Sequence, residues 1–178
     1  MRIDGRNFDA LAKDLEAARD ELLIGCEDAW TRSRPGKWTG GQHLEHAALL
    51  LMRCTSDFRA ALEQKRQGTL PPRPRRGPLQ ALFIATLVKR GMMPRGGGAP
   101  SWGMPSPRPN LSVVGTRLAM GVEGLLRVGR DLDPESRDTL WIWNPMVSFR
   151  WHYRYPEMVR VQAVHFRHHA AQARELAR

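Results

Sequence analysis

Apolar residues recurring with helical period are what most constrain the fold of this chain. From Phe8 to about Trp30, Phe8, Leu11, Leu15, Leu22 and Cys26 follow one another at spacings of three, four and seven, which places them on one face of an amphipathic helix. Arg34-Pro35-Gly36-Lys37 breaks that pattern. A second stripe, Leu44, Ala47, Leu51, Cys54, Phe58 and Leu62, is close to a heptad. Its start is marked by Thr39 with Gln42 three residues on, the capping-box pattern in which each side chain satisfies the other's free backbone N–H. Gln67-Gly68 ends it. A shorter apolar helix is expected from Leu79 to Val88, stopped by Arg90-Gly91. Asn110 is a plausible cap for a helix carrying Leu111, Val114, Leu118, Val122 and Leu125. Asp133-Pro134 has the composition of a short helix start, and Tyr155-Pro156-Glu157 launches a last helix that runs nearly to Arg178. There is no βαβ alternation and no strong hairpin signal. The expectation is an all-α bundle of four long helices with one or two short extra ones.

The intervening segments differ in kind. Pro71 to Pro78 reads as a stiff basic linker, whereas Met92 to Pro109 holds five prolines and four glycines and excludes regular structure over its length. Long loops of this sort in compact domains often form lids or walls. Trp141, Trp143, Phe149, Trp151 and Tyr153 make an aromatic connection ahead of the last helix. With 178 residues, residues 1–178 are read as one domain, long enough to bury a core.

Composition narrows the class of function. The longest apolar runs, such as Ala81 to Val88, are too short to span a bilayer, so no membrane partner is expected. Met1-Arg2-Ile3-Asp4 lacks the apolar stretch of a secretory signal. Cys26 and Cys54 do not make a disulfide framework, and a cytoplasmic, reducing setting is the simpler reading. The formal charge of +10 favours acidic partners. The basic residues are nevertheless scattered, with one cluster at Arg73, Arg75 and Arg76, and no zinc-finger spacing, aromatic RNA-binding signature or clear helix-turn-helix accompanies them. Specific nucleic-acid binding is not expected. Gly96-Gly97-Gly98 lacks the Lys-Ser/Thr of a phosphate loop.

The six histidines carry the chemistry. His43 and His46 lie on the second helix, His152 in the aromatic connection, and His165, His168 and His169 on the last helix. Residues four apart share a helix face, so His165 and His169 can aim at one point, on a core-facing stripe with Met158, Gln172 and Leu176. His168 is turned away by about 100° and is expected nearer solvent. A His-x-x-x-His pair alone is common on helix surfaces, and a single histidine such as His43 is more often exposed or satisfied by one hydrogen bond. Two imidazoles from one helix need a third ligand from a facing helix, and His46 is placed to supply it. Such a set suits Zn²⁺, Ni²⁺ or Fe²⁺ and leaves a position for water or substrate, as catalytic sites do. Gln172, one turn beyond His169, is a candidate for orienting a ligand or bound water; its blander role is to cap the polar edge of the bundle. Cys54 falls near the His43 stripe, with an inert core thiol the simpler reading.

Lys37-Trp38-Thr39, followed by Gln42 and His46, resembles the second-helix signature of the DinB-like superfamily, in which a Trp-Ser/Thr pair precedes the helix and a ligand histidine lies about two turns in. The ending His165-Phe-Arg-His-His169-Ala-Ala-Gln172 resembles that family's last-helix pattern, His-x-x-x-His-x-x-Gln. The likeness spans nearly the whole chain but rests on roughly a dozen positions. It departs at Asn144-Pro145, where some branches carry His-Pro. The resemblance implies a four-helix bundle of DinB-like type with a divalent metal on His46, His165 and His169. It also implies a metal-dependent transferase that uses a low-molecular-weight thiol, as the bacillithiol- and mycothiol-dependent members do, or a hydrolase of a small molecule. The alternative is a non-catalytic metal- or ligand-binding stress-related protein. A homodimer is a further expectation. No general base is identifiable from spacing.

Overall fold

A computed structural model describes residues 3–93, 98–146 and 150–178. Gly96 and Gly97 of the glycine run and Phe149 of the aromatic connection lie outside the described residues, as do Met1 and Arg2. The chain is mostly helical: α1 (Phe8–Glu27), α2 (Gly40–Arg66), α3 (Pro78–Phe83), α4 (Leu111–Arg130), α5 (Pro134–Thr139) and α6 (Tyr155–Ala177). Helix α3 continues into a π-helical turn, Ile84–Lys89, and Gly91 follows with φ +69°. Among the described residues no helix is long and apolar enough to cross a membrane.

The helix starts follow from local hydrogen bonding. Thr39 Oγ1 accepts from Gln42 N at 3.1 Å while Gln42 Oε1 accepts from Thr39 N at 2.9 Å, so the expected capping box is formed at α2. The Asn110 and Asp133 carboxamide and carboxylate oxygens accept from Val113 N and Ser136 N, capping α4 and α5. At α6 the Glu157 carboxylate accepts from Arg154 N at 2.9 Å, and Pro156 occupies the first turn, where no amide proton is needed. Gly68, at φ +70°, closes α2 in the left-handed conformation that favours glycine.

The four long helices surround one core. Leu11, Leu15, Leu22 and Cys26 of α1 meet Leu44, Leu51, Cys54 and Phe58 of α2, Leu118, Val122 and Leu125 of α4, and Tyr155, Met158 and Phe166 of α6. Helix α6 packs along α1, and α4 along α2. The Tyr155 hydroxyl, fully buried, donates to Leu125 O at 2.8 Å, which satisfies the one polar atom of a large core ring. At 25 cal/mol per Å², burying each such Leu or Phe stabilises the fold by roughly 1.5–3 kcal/mol, and this apolar stripe explains most of the stability.

One element departs from the expectation. The aromatic connection contains a small antiparallel pair, β1 (Trp141–Trp143) and β2 (His152–Arg154), in the register Trp141 with Arg154, Ile142 with Tyr153 and Trp143 with His152. Three-residue strands give too little alternation to register as a period, although Trp, Ile and Tyr favour a pleated, half-buried surface. A 3₁₀ turn, Ser101–Gly103, also lies ahead of α4.

Candidate metal centre

The capping box fixes where α2 begins, and thereby sets His43 and His46 in its first two turns, three residues apart on one face. Close approach of α1 supports this end. A Cβ at Gly40 would stand 2.5 Å from Cys26 O, so only glycine lets the two backbones meet there. His165 and His169 project from α6 toward the same point. Both are buried, as His43 and His46 are, and His168 is half-buried on the flank.

The three expected ligands converge. One nitrogen from each of His46, His165 and His169 lies within 4.8 Å of the others, and the Nε2 atoms of His165 and His169 are 2.9 Å apart. A tetrahedral ion with metal–nitrogen bonds of about 2.0–2.1 Å separates its ligand nitrogens by roughly 3.3 Å, so small side-chain shifts bring this set onto one ion. The donors are all imidazole, which suits zinc, nickel or iron(II).

His46 and His169 are each held through Nδ1. His46 Nδ1 lies 2.6 Å from Gly103 O; a carbonyl only accepts, so His46 carries its proton on Nδ1 and presents the Nε2 lone pair inward. His169 Nδ1 lies 2.9 Å from His43 Nδ1. The Trp38 indole leans over the cluster, its ring centroid 4.8 Å from that of His46, 5.6 Å from His43 and 6.3 Å from His169. His165 Nδ1 is buried without a hydrogen-bond partner.

The segment after the glycine run is pinned across this end of α2. Gln42 Nε2 donates to Ser106 O at 3.3 Å, and Ser106 donates from both its backbone N and its hydroxyl to Glu45 Oε2 at 2.7 Å. With the Gly103 contact, three α2 side chains hold residues 103–106 as a wall beside the histidines.

Electrostatics favour the ligating form. Burial, followed by the neighbouring His46 and His168, lowers the His43 pKa to about 4. Burial also lowers His46, with the Gly103 hydrogen bond opposing it. His165 and His169 are held well below the ordinary value, first by burial and then by the surrounding imidazoles. Four crowded, desolvated imidazoles remain neutral near pH 7, the state in which the lone pair is free for a cation.

The site holds two surprises. His43, expected to be a bystander, is part of the cluster; its position three residues before His46 was the available signal. Gly103 contributes a backbone carbonyl, which no residue pattern announces. Gln172 is half-buried with Oε1 lacking a hydrogen-bond partner, and among the described residues no hydrogen bond ties it to the three histidines. Cys54 is a core residue. It is fully buried, its thiol is raised above the ordinary range chiefly by burial, and it receives a hydrogen bond from Gln162 Nε2 at 3.3 Å. Comparison of the chain with protein-family models, with curated proteins and with solved structures finds no match.

Proposed function

We propose that this chain is a divalent-metal-binding protein of DinB-like type, a four-helix bundle that holds zinc, nickel or iron(II) on His46, His165 and His169 and acts on a small molecule. The observation that carries this reading is the convergence of three buried imidazoles from two helices on ligand atoms within 4.8 Å of one another. When bound there, a divalent ion would lower the pKa of a coordinated thiol or water and supply a nucleophile near neutral pH. The chain's own residues do the rest. Three neutral ligands would leave a bound cation's charge uncompensated, so such a centre would favour an anionic partner such as a thiolate or hydroxide. Trp38 and residues 103–106 wall the site and restrict water.

In this reading the reaction is transfer of a low-molecular-weight thiol to an electrophile, or hydrolysis. The test is turnover by metal-loaded and chelator-treated protein across a panel of thiols and electrophiles; metal-dependent turnover supports it, and no turnover in any metal-loaded sample overturns the enzymatic part. Enclosure favours a second reading, a non-catalytic metal-binding protein: His46, His165 and His169 are only 5–6% exposed. A homodimer belongs to the proposal as a family expectation. Two free, buried cysteines accord with a reducing, cytoplasmic setting. The basic cluster gives little support to nucleic-acid binding, because Arg76 is committed to the buried Glu157.

A further inference from the structure

We propose that His43 is a positioning residue for this centre: through its Nδ1 it holds His169 in the tautomer protonated at Nδ1, leaving the Nε2 lone pair aimed at His46 and His165. The inference rests on the metal reading above and adds to it a residue outside the ligand set.

Two neutral imidazoles whose Nδ1 atoms lie 2.9 Å apart share a single proton between them, so one ring donates and the other accepts. The choice decides whether His169 is a ligand. If His169 donates, its proton sits on Nδ1 and its Nε2 keeps a lone pair, which accepts from His165 Nε2 at 2.9 Å in the metal-free protein and would turn to an ion that displaces that shared proton. If His43 donates instead, His169 must carry its own proton on Nε2, where it blocks the metal. The ligating state therefore requires His43 to accept through Nδ1 and to hold its proton on Nε2.

The surroundings keep His43 available for that task. It is 7% exposed, on the same α2 face as His46, and its ring stands edge-on to Trp38 at 67°. Gly103 O does the equivalent for His46, so two of the three ligands have an acceptor behind them, one from the wall segment and one from α2 itself. Both acceptors are neutral. A carboxylate behind a ligand imidazole would add negative charge that offsets the cation; a neutral carbonyl and imidazole fix the tautomer and ring orientation without adding that charge.

The experiment compares wild type with His43→Leu, which removes the acceptor, His43→Gln, which offers an amide oxygen in its place, and His46→Ala, which removes a ligand. Zinc affinity is measured by chelator competition on untagged protein, and the ring nitrogens of His169 are assigned by ¹⁵N NMR without and with zinc. The expected result is a 10- to 100-fold weaker affinity in His43→Leu with one zinc still bound at saturation, the range typical for losing a partner behind a metal ligand. His43→Gln should recover most of that loss, and His46→Ala should lose stoichiometric binding. Wild-type His169 should show a protonated Nδ1 and an unprotonated Nε2 before zinc is added, and His43→Leu a mixture of tautomers. Wild-type affinity in His43→Leu, or a proton on His169 Nε2 in the metal-free wild type, would overturn the role of His43. Failure of wild type itself to bind zinc would instead overturn the metal reading, and the tautomer measurement on metal-free protein keeps the two failures apart.

Discussion

His165 and His169, one helical turn apart on α6, bring their Nε2 atoms to 2.9 Å while both rings stay buried. At that distance two neutral imidazoles share one N–H···N hydrogen bond, and a divalent ion bound there would replace the shared proton and take both lone pairs. In the double variant His165→Ala, His169→Ala, stoichiometric metal binding is expected to disappear. The helical circular-dichroism signal should persist, because the apolar stripes carry most of the stability. Metal content equal to wild type would refute the site, and loss of helical structure would show that the ion is structural.

The metal-free protein should lose stability in acid over a defined window. His152 is almost fully buried against Trp141 and Trp143, and burial, with Arg76 and Arg73 adding to it, lowers its pKa to about 4. Its native value thus lies below the unfolded one, so its contribution is complete above pH of about 6.5 and is lost as pH falls toward about 4, where the native state also protonates. The shift corresponds to a loss on the order of 3 kcal/mol or less. Urea midpoints of chelator-treated protein at pH 7 and pH 4.5 test this. The midpoint should fall, and fall less in His152→Asn; equal midpoints at the two pH values would contradict it.

Gly103 controls the position of the carbonyl behind His46. A Cβ there would stand 2.7 Å from Leu50 Cδ1 and 3.7 Å from His46 Nδ1. Its φ is not positive, so the constraint is space rather than backbone conformation. Leu50 can yield to a single methyl, and Gly103→Ala should be nearly silent. Gly103→Val should push the wall segment off His46 and weaken zinc binding by roughly tenfold or more with little change in the urea midpoint. Wild-type zinc affinity in Gly103→Val would show that the carbonyl does not orient the ligand.

Glu157 anchors the start of α6. Its carboxylate is 2% exposed, pairs with Arg76 and Arg154, and accepts from Arg154 N. Burial would raise its pKa, but the two guanidinium groups outweigh that and hold it below the ordinary range. Glu157→Gln leaves Arg76 without its carboxylate beside a buried amide, while Arg154 keeps Asp138, and should cost about 3 kcal/mol in urea unfolding. Zinc stoichiometry should be unchanged in the folded fraction. A cost below about 1 kcal/mol would mean that the arginines find water or another partner.

The helices and two sides of the site were legible in the sequence for physical reasons. Stripes such as Leu44–Leu51–Phe58 repeat with the helical period, Thr39 with Gln42 marks a start, and the four-residue spacing of His165 and His169 is itself a geometry. What escaped depends on contacts between distant segments. Strands β1 and β2 are three residues each and gain their identity only by pairing with one another. The approach of His43 to His169 requires α2 and α6 to be packed side by side, although the two residues are 126 positions apart in the chain. The Gly103 contribution is a backbone oxygen, identical in every residue type. The commitment of Arg76 to Glu157 likewise turns an apparent basic cluster into one side of a buried ion pair.

The central claim is that His46, His165 and His169 hold one divalent ion. X-ray absorption at the zinc edge, on untagged protein loaded with one equivalent of zinc, tests it most directly beside a His46→Ala control. The account expects an imidazole-dominated first shell at about 2.0–2.1 Å containing three histidine nitrogens, and loss of bound zinc in the control. Zinc that does not bind stoichiometrically, or a first shell unchanged by His46→Ala, would contradict it.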